Sequence, residues 1–202
     1  MISSVKRYCI AAMLSLLCVS QVMAINDPVR MLQSVTDQVL TELKENKAVL
    51  EAQPEKVNEI VDRLMVPHAD FVEMSRWVAG RAAWSRASDS EKHAFIKAFR
   101  DLIVHTYAGS LNEYDAQSIE YKPLRGNPSA TQVQVASVIN TSDSGPIHLS
   151  YRLTRASGEW KVYDIVIEGV SLLKGFQNQF SQEISEDGLA AVTEKIRNHN
   201  EK

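Results

Sequence analysis

Apolar residues recur at helical spacing through the first half of the chain and at alternate positions through most of the second, so helices are predicted first and strands after. Asp27 and Pro28 read as the N-cap and first residue of a helix striped by Leu32, Val35, Val39 and Leu43. A second helix is predicted from Pro54, with Val57, Ile60, Val61 and Leu64 on one face. After Pro67 a third, short helix carries Phe71, Met74 and Trp77, and Ala79-Gly80 marks where it stops or turns. Ser88 and Glu91 form a capping-box pattern. The helix they open, about residues 89–108, is apolar over a broad arc that includes Phe95, Phe99, Leu102, Ile103 and Tyr107. An arc that wide needs cover on more than one side, so this helix is expected between a sheet and other helices.

The period then falls to two. A strand is predicted at 117–121, a turn at Pro123 and Gly126-Asn127-Pro128, and a strand at 131–140 with Val133, Val135 and Ile139 on one face. Residues 147–155 alternate Ile147, Leu149, Tyr151 and Leu153 against His148, Ser150, Arg152 and Thr154, and Ser157-Gly158 makes a hairpin turn. The last strand, 160–170, is apolar on both faces, with Val162 and Val166 on one and Tyr163, Ile165 and Ile167 on the other, which places it inside the sheet. Leu173, Phe176 and Phe180, then Leu189, Val192 and Ile196, mark two C-terminal helices. The expectation is one α+β domain: an antiparallel sheet of about four strands with helices packed on it and helical additions at the N-terminus. Its helical half spans about 25–110, its sheet about 115–170 and its C-terminal helices about 171–200.

The first residues change the picture of where the chain works. Lys6 and Arg7 precede an uncharged apolar stretch at 10–19, and Val22-Met23-Ala24 offers small residues for cleavage, the pattern of a secretory signal peptide. The apolar stretch is about half the ~20 residues that a membrane-spanning helix needs. Cys18 after Ser15-Leu16-Leu17 raises a lipid anchor as the competing fate, but Leu17 is bulky where lipoprotein processing wants a small residue. Residues 1–24 are therefore expected to be removed, leaving a free periplasmic protein that starts near Ile25. Cys9 and Cys18 leave with that segment, so the mature chain has no thiol or disulfide chemistry. Losing Lys6 and Arg7 but no acid takes the net charge from −3 to −5. That balance argues against nucleic acid as a partner and against tight docking on an anionic membrane.

Catalytic and metal chemistry find few handles. The five histidines, at 68, 93, 105, 148 and 199, are scattered, and Asp101 with His105 is a helix side-chain pair at i,i+4 before it is an ion site. There is no Gly-x-Ser-x-Gly and no Gly-rich phosphate loop. His68, Asp70 and Ser75 sit within one short helical stretch, a poor frame for a triad. Asp164 beside Tyr163 in an apolar strand is the one candidate acid/base pair, as isomerase pockets use; the plainer reading gives Asp164 a basic partner such as Arg152 or Lys161.

The last strand carries a longer signal. Trp160-Lys161-Val162-Tyr163-Asp164-Ile165-Val166-Ile167-Glu168-Gly169-Val170-Ser171-Leu172 resembles the MlaC, or toluene-tolerance, family of periplasmic phospholipid-binding proteins. A second block is similar to the same family: Arg76-Trp77-Val78-Ala79-Gly80, Trp84, Phe95, Ala98-Phe99-Arg100, Leu102-Ile103-Val104 and Thr106-Tyr107-Ala108. The segment Lys174-Gly175-Phe176-Gln177-Asn178-Gln179-Phe180 departs from it where the family more often has Asn-Tyr-Arg, while Phe180 keeps its place. The resemblance implies a nuclear-transport-factor-like fold and no catalytic residues or cofactor. It implies a diacyl phospholipid as cargo, carried between an outer-membrane lipoprotein–porin complex and an inner-membrane ABC transporter with its periplasmic lipid-binding component. An isomerase-like enzyme using Asp164 and Tyr163, or a periplasmic chaperone, are the rival readings.

A carrier of this kind needs apolar walls with almost no fixed charge deep inside. The sheet face bearing Val133, Val135, Leu149, Tyr151, Leu153, Ile165 and Ile167, opposed by Leu102, Ile103 and Tyr107, is the expected lipid-binding surface.

Overall fold

Helix α1, Pro28–Glu45, starts at the expected cap: the Asp27 carboxylate accepts from the Val29 and Arg30 amides. This computed structural model describes residues 27–111, 116–124, 127, 130–141, 145–155 and 158–200. The expected signal segment 1–24, Ile25 and the turn residues Gly126, Pro128 and Ser157 lie outside them. Helix α2, Lys47–Ala52, has no counterpart in the predicted elements, because six residues with one buried side chain, Leu50, show no periodic stripe. A 3-10 turn at Pro54–Lys56 then leads into α3, Val57–Leu64, which buries Val57, Ile60 and Val61.

Helix α4 runs Phe71–Arg86 and turns at Gly80, as Ala79-Gly80 led one to expect. Gly80 takes φ 76° and ψ 155° inside it, a left-handed φ open to glycine at little cost, so the helix breaks there and resumes. Helix α5, Asp89–Tyr107, has both bonds of its capping box: the Glu91 amide donates to Ser88 Oγ at 3.3 Å, and the Ser88 amide to Glu91 Oε2 at 2.7 Å. Ser88→Ala is expected to cost about 1 kcal/mol, read as a fall in Tm of roughly 2–4 °C in a thermal melt; an unshifted Tm would contradict the cap's role.

The sheet comprises β1 Ala116–Tyr121, β2 Gln132–Thr141, β3 Ile147–Thr154, β4 Lys161–Ile167 and β5 Val170–Ser171, in the order β1-β2-β3-β4-β5 and antiparallel throughout. It has five strands where about four were expected. The predicted last strand folds back at Glu168 and Gly169, giving the two-residue β5. That return pairs Val166 and Ile167 of β4 on their second edge, and Ala69 bridges Val162 at the other end of the strand. Helix α6, Leu172–Asn200, is broken at Gly188, with φ 86° and ψ 171°, so the two predicted C-terminal helices are its two arms.

One expectation about packing is corrected. Helix α5 is sheathed by helices, not laid between helices and sheet. Phe95, Phe99 and Leu102 enter a core with Met74 and Val78 of α4 and Phe180 and Ile184 of α6. Phe99 meets Phe176 edge-on at 5.2 Å. Val104 and Ala108 join a second core with Leu50, Val57, Ile60 and Val61. A broad apolar arc states that two sides are covered and leaves open by what.

Candidate functional site

Strand pairing settles which side chains share a face. Val133 lies opposite Leu153, Val135 opposite Tyr151, Ser137 opposite Leu149 and Ile139 opposite Ile147. Leu149 then faces Ile167 and Tyr151 faces Ile165, so all seven expected strand residues lie on one face of the sheet. A register shift after Arg152 pairs Leu153 with Val162. The extra residue, Tyr163, breaks the simple alternation, so Val162 shares this face with Ile165 and not, as expected, with Val166. Ile119, Ile139 and Ile147 extend the face and were not among the expected site residues, although the alternation of β2 and β3 already pointed to the last two. The reverse face is mixed, with Gln134, His148, Ser150 and Arg152 beside Ala136, Val138 and Val166.

This apolar face is fully buried over one half only. Leu32 of α1 seals Val135, Leu153 and Trp160 into a buried cluster, with Val133, Tyr151 and Val162 packed against it. Thr36 of the same helix shares a 2.6 Å hydrogen bond with the Tyr121 hydroxyl, latching α1 to β1. Burial pushes the Tyr151 phenol above its ordinary pKa, an effect the neighbouring hydroxyls of Ser137 and Tyr121 partly offset. Ile139, Ile147, Leu149 and Ile165 are half-buried and belong to none of the buried clusters, and Ile167 is 37% exposed. The result is an apolar face sealed at the α1 end and less buried towards the β4–β5 turn.

The three helical residues expected to oppose the sheet have other places. Leu102 is buried in the inter-helix core and Ile103 packs against the same core, while Tyr107 stands 38% exposed at the end of α5. Leu102 is thus a packing residue of the helical block. Its neighbours along α5 gave no sign of this, since core and cavity wall demand the same side chains.

The candidate acid/base pair is also accounted for. Asp164, with its side chain 1% exposed, accepts from Arg152 Nη1 at 3.0 Å, Ser171 Oγ at 2.7 Å and the Leu173 amide at 3.2 Å. Its oxygens thus anchor the start of α6 to β4. The Tyr163 phenol is pushed up chiefly by desolvation, with Arg152 lowering and Asp164 raising it, which moves it further from proton transfer near neutrality. Asp70 caps α4 through the Glu73 amide, and Ser75 is fully buried, so His68, Asp70 and Ser75 make no triad. His105 Nδ1 lies 2.9 Å from the Asp101 carbonyl oxygen, and the Asp101 carboxylate pairs with Lys97 and Arg100. Among the described residues there is no cluster of His, Cys, Asp and Glu suited to a metal and no helix long and apolar enough to cross a membrane.

The chain that carries this apolar face matches a known family. The MlaC protein family model matches residues 33–198. The chain belongs to the MlaC family. MlaC relatives include the toluene tolerance protein ttg2D of Pseudomonas putida, 23% identical over 82% of this chain and 76% of its own length. The intermembrane phospholipid transport system binding protein MlaC of Haemophilus influenzae is 25% identical, over 84% of this chain and 80% of its own. Among solved structures, a phospholipid-binding protein of Ralstonia solanacearum in complex with a phospholipid superposes with a TM-score of 0.77 at 32% identity, covering 86% of this chain and 97% of that one.

Proposed function

We propose that this MlaC-family chain is a periplasmic phospholipid carrier, its cargo's acyl chains lying against the less buried half of the sheet face. The observation that carries the reading is the likeness to a relative solved with a phospholipid bound, together with an apolar face that the chain's own helices leave only partly buried over one half. Leu149, Ile165 and Ile167 are the expected lipid-binding residues on that half, with Ile139 and Ile147 added; Val133, Val135, Tyr151 and Leu153 pack in the half sealed by α1 and hold the face in place, and Leu102, Ile103 and Tyr107 are withdrawn. Residues 1–24 act as the cleaved export signal, and the single α+β domain from about Ile25 is the working protein. Its partners are the outer-membrane lipoprotein–porin complex and the inner-membrane ABC transporter with its periplasmic lipid-binding component. Phospholipid is cargo, not cofactor, and no chemical step is performed on it.

The energetics favour such a carrier. At about 0.8 kcal/mol per buried methylene, two ordinary acyl chains would cost on the order of 24 kcal/mol to expose to water. An apolar protein site and a bilayer offer the tails nearly equal surroundings, so net transfer is set by small differences that docking partners can bias.

Tails, not headgroup, are expected to set the affinity, because the face offers hydrophobic area and no cluster of cations. Organic extraction of the mature protein followed by mass spectrometry tests this. Several headgroup classes should be recovered. One headgroup to the exclusion of others would refute tail-driven binding, and a copurifying polypeptide with no lipid would favour the chaperone reading.

A further inference from the structure

The break at Gly80 shapes a second feature, with no residue of the apolar sheet face in its lining. The two arms of α4 and the first turns of α6 bound two adjoining open grooves, of about 430 Å³ and 600 Å³, which share Gly80, Arg81 and Gln177. The floor is tied: Gln177 Nε2 donates to the Trp77 carbonyl oxygen at 3.1 Å, bridging α6 to α4 where the helix break frees that carbonyl. Lys174 Nζ donates to Gln177 Oε1 at 3.0 Å.

Charge in these grooves runs against the rest of the molecule. The chain carries 25 acids to 22 Lys and Arg, yet Arg76, Arg81, Arg86 and Lys174 line the grooves with one carboxylate, Glu73. Glu73 pairs with Arg76 at 2.5 Å. Arg81 and Arg86 are exposed and have no carboxylate within ion-pairing distance among the described residues. Between the cations lie apolar surfaces, the half-buried rings of Trp77 and Trp84, the second with Lys92 Nζ 6.0 Å from its centroid. Cations spaced around aromatic rings in a concavity are the features of a protein docking site, where an anchor is desolvated and carboxylates are paired at the rim.

We propose that this double groove docks an acidic segment of a partner protein, a stretch with carboxylates for Arg81 and Arg86 and an apolar side chain between them for Trp77 and Trp84. Its concavity favours a polypeptide over a bilayer, whose flat surface cannot enter it, and the net negative charge of the whole chain opposes an anionic membrane. Every lining residue belongs to α4 or α6 and none to the sheet face, so docking and cargo binding are separable. The proposal is therefore independent of the lipid reading.

The test uses the mature chain as purified and a fluorescein-labelled peptide of alternating Glu and Leu, with a Lys and Leu peptide as control. The acidic peptide should bind, weaken as salt rises, and shift the indole N–H resonances of Trp77 and Trp84. Arg81→Glu with Arg86→Glu should weaken it at least about tenfold, since each exposed pair changes from attraction to repulsion, with lipid content and Tm unchanged. Should that variant fold poorly, Arg81→Gln with Arg86→Gln removes the charge without reversing it and must also weaken binding. Equal affinity for the charge-reversed protein, resonance shifts confined to another surface, or binding to phosphatidylglycerol vesicles in place of the acidic peptide would each overturn the proposal.

Discussion

Leu149→Asp or Ile165→Asp is expected to leave the protein folded and nearly free of lipid. Both side chains sit on the less buried half of the apolar face, paired across β3 and β4 to Ile167 and Tyr151, and neither belongs to a buried cluster. In the empty protein a carboxylate there reaches water. Under an acyl chain it does not, and stripping water from an unpaired carboxylate costs several kcal/mol. Even about 3 kcal/mol lowers affinity more than a hundredfold, far beyond the loss of a few methylene contacts at ~0.8 kcal/mol each. Lipid recovered per mole of protein, read beside the thermal melt, checks this. Full occupancy in either variant would remove that residue from the site. Leu153→Asp is the contrasting case, since Leu153 is fully buried with Leu32, Val135 and Trp160; there the fold itself should fail.

The contrast between those residues shows what was legible in the sequence and what was not. Alternation named the apolar face of β2 and β3 because each strand has a dry side and a wet side. It could not divide that face into a sealed half and a less buried half, because that depends on where α1 crosses, a long-range contact between Leu32 and residues a hundred positions later. Nor could it place Val162, since the extra residue at Tyr163 reverses parity along β4 and leaves no trace in a strand whose faces are both apolar. Leu102 failed for a related reason: helix–helix core and ligand wall select the same side chains. The capping boundaries of α1 and α5 were legible to the residue, because a cap is satisfied within three or four positions.

Asp164 also lay at that boundary between local and distant information. Arg152 could be suspected as its partner, but not Ser171 or the amide of Leu173, which arrive only once the turn at Glu168 and Gly169 brings α6 back onto β4. Because three donors converge on a carboxylate that is almost fully buried, Asp164→Ala should be the most destabilising of the polar substitutions. Losing three hydrogen bonds to a charged acceptor, at about 1–2 kcal/mol each, costs roughly 3–5 kcal/mol, which for a chain of this size lowers Tm by roughly 10 °C. Arg152→Ala should cost less, since Arg152 is 37% exposed and its loss leaves Asp164 with two remaining donors. Ser171→Ala, removing one neutral donor, should cost about 1 kcal/mol. That order in thermal melts, Asp164 then Arg152 then Ser171, identifies the cluster as the hinge between sheet and C-terminal helix. An Asp164→Ala protein that melts like the parent would show that the anchor lies elsewhere.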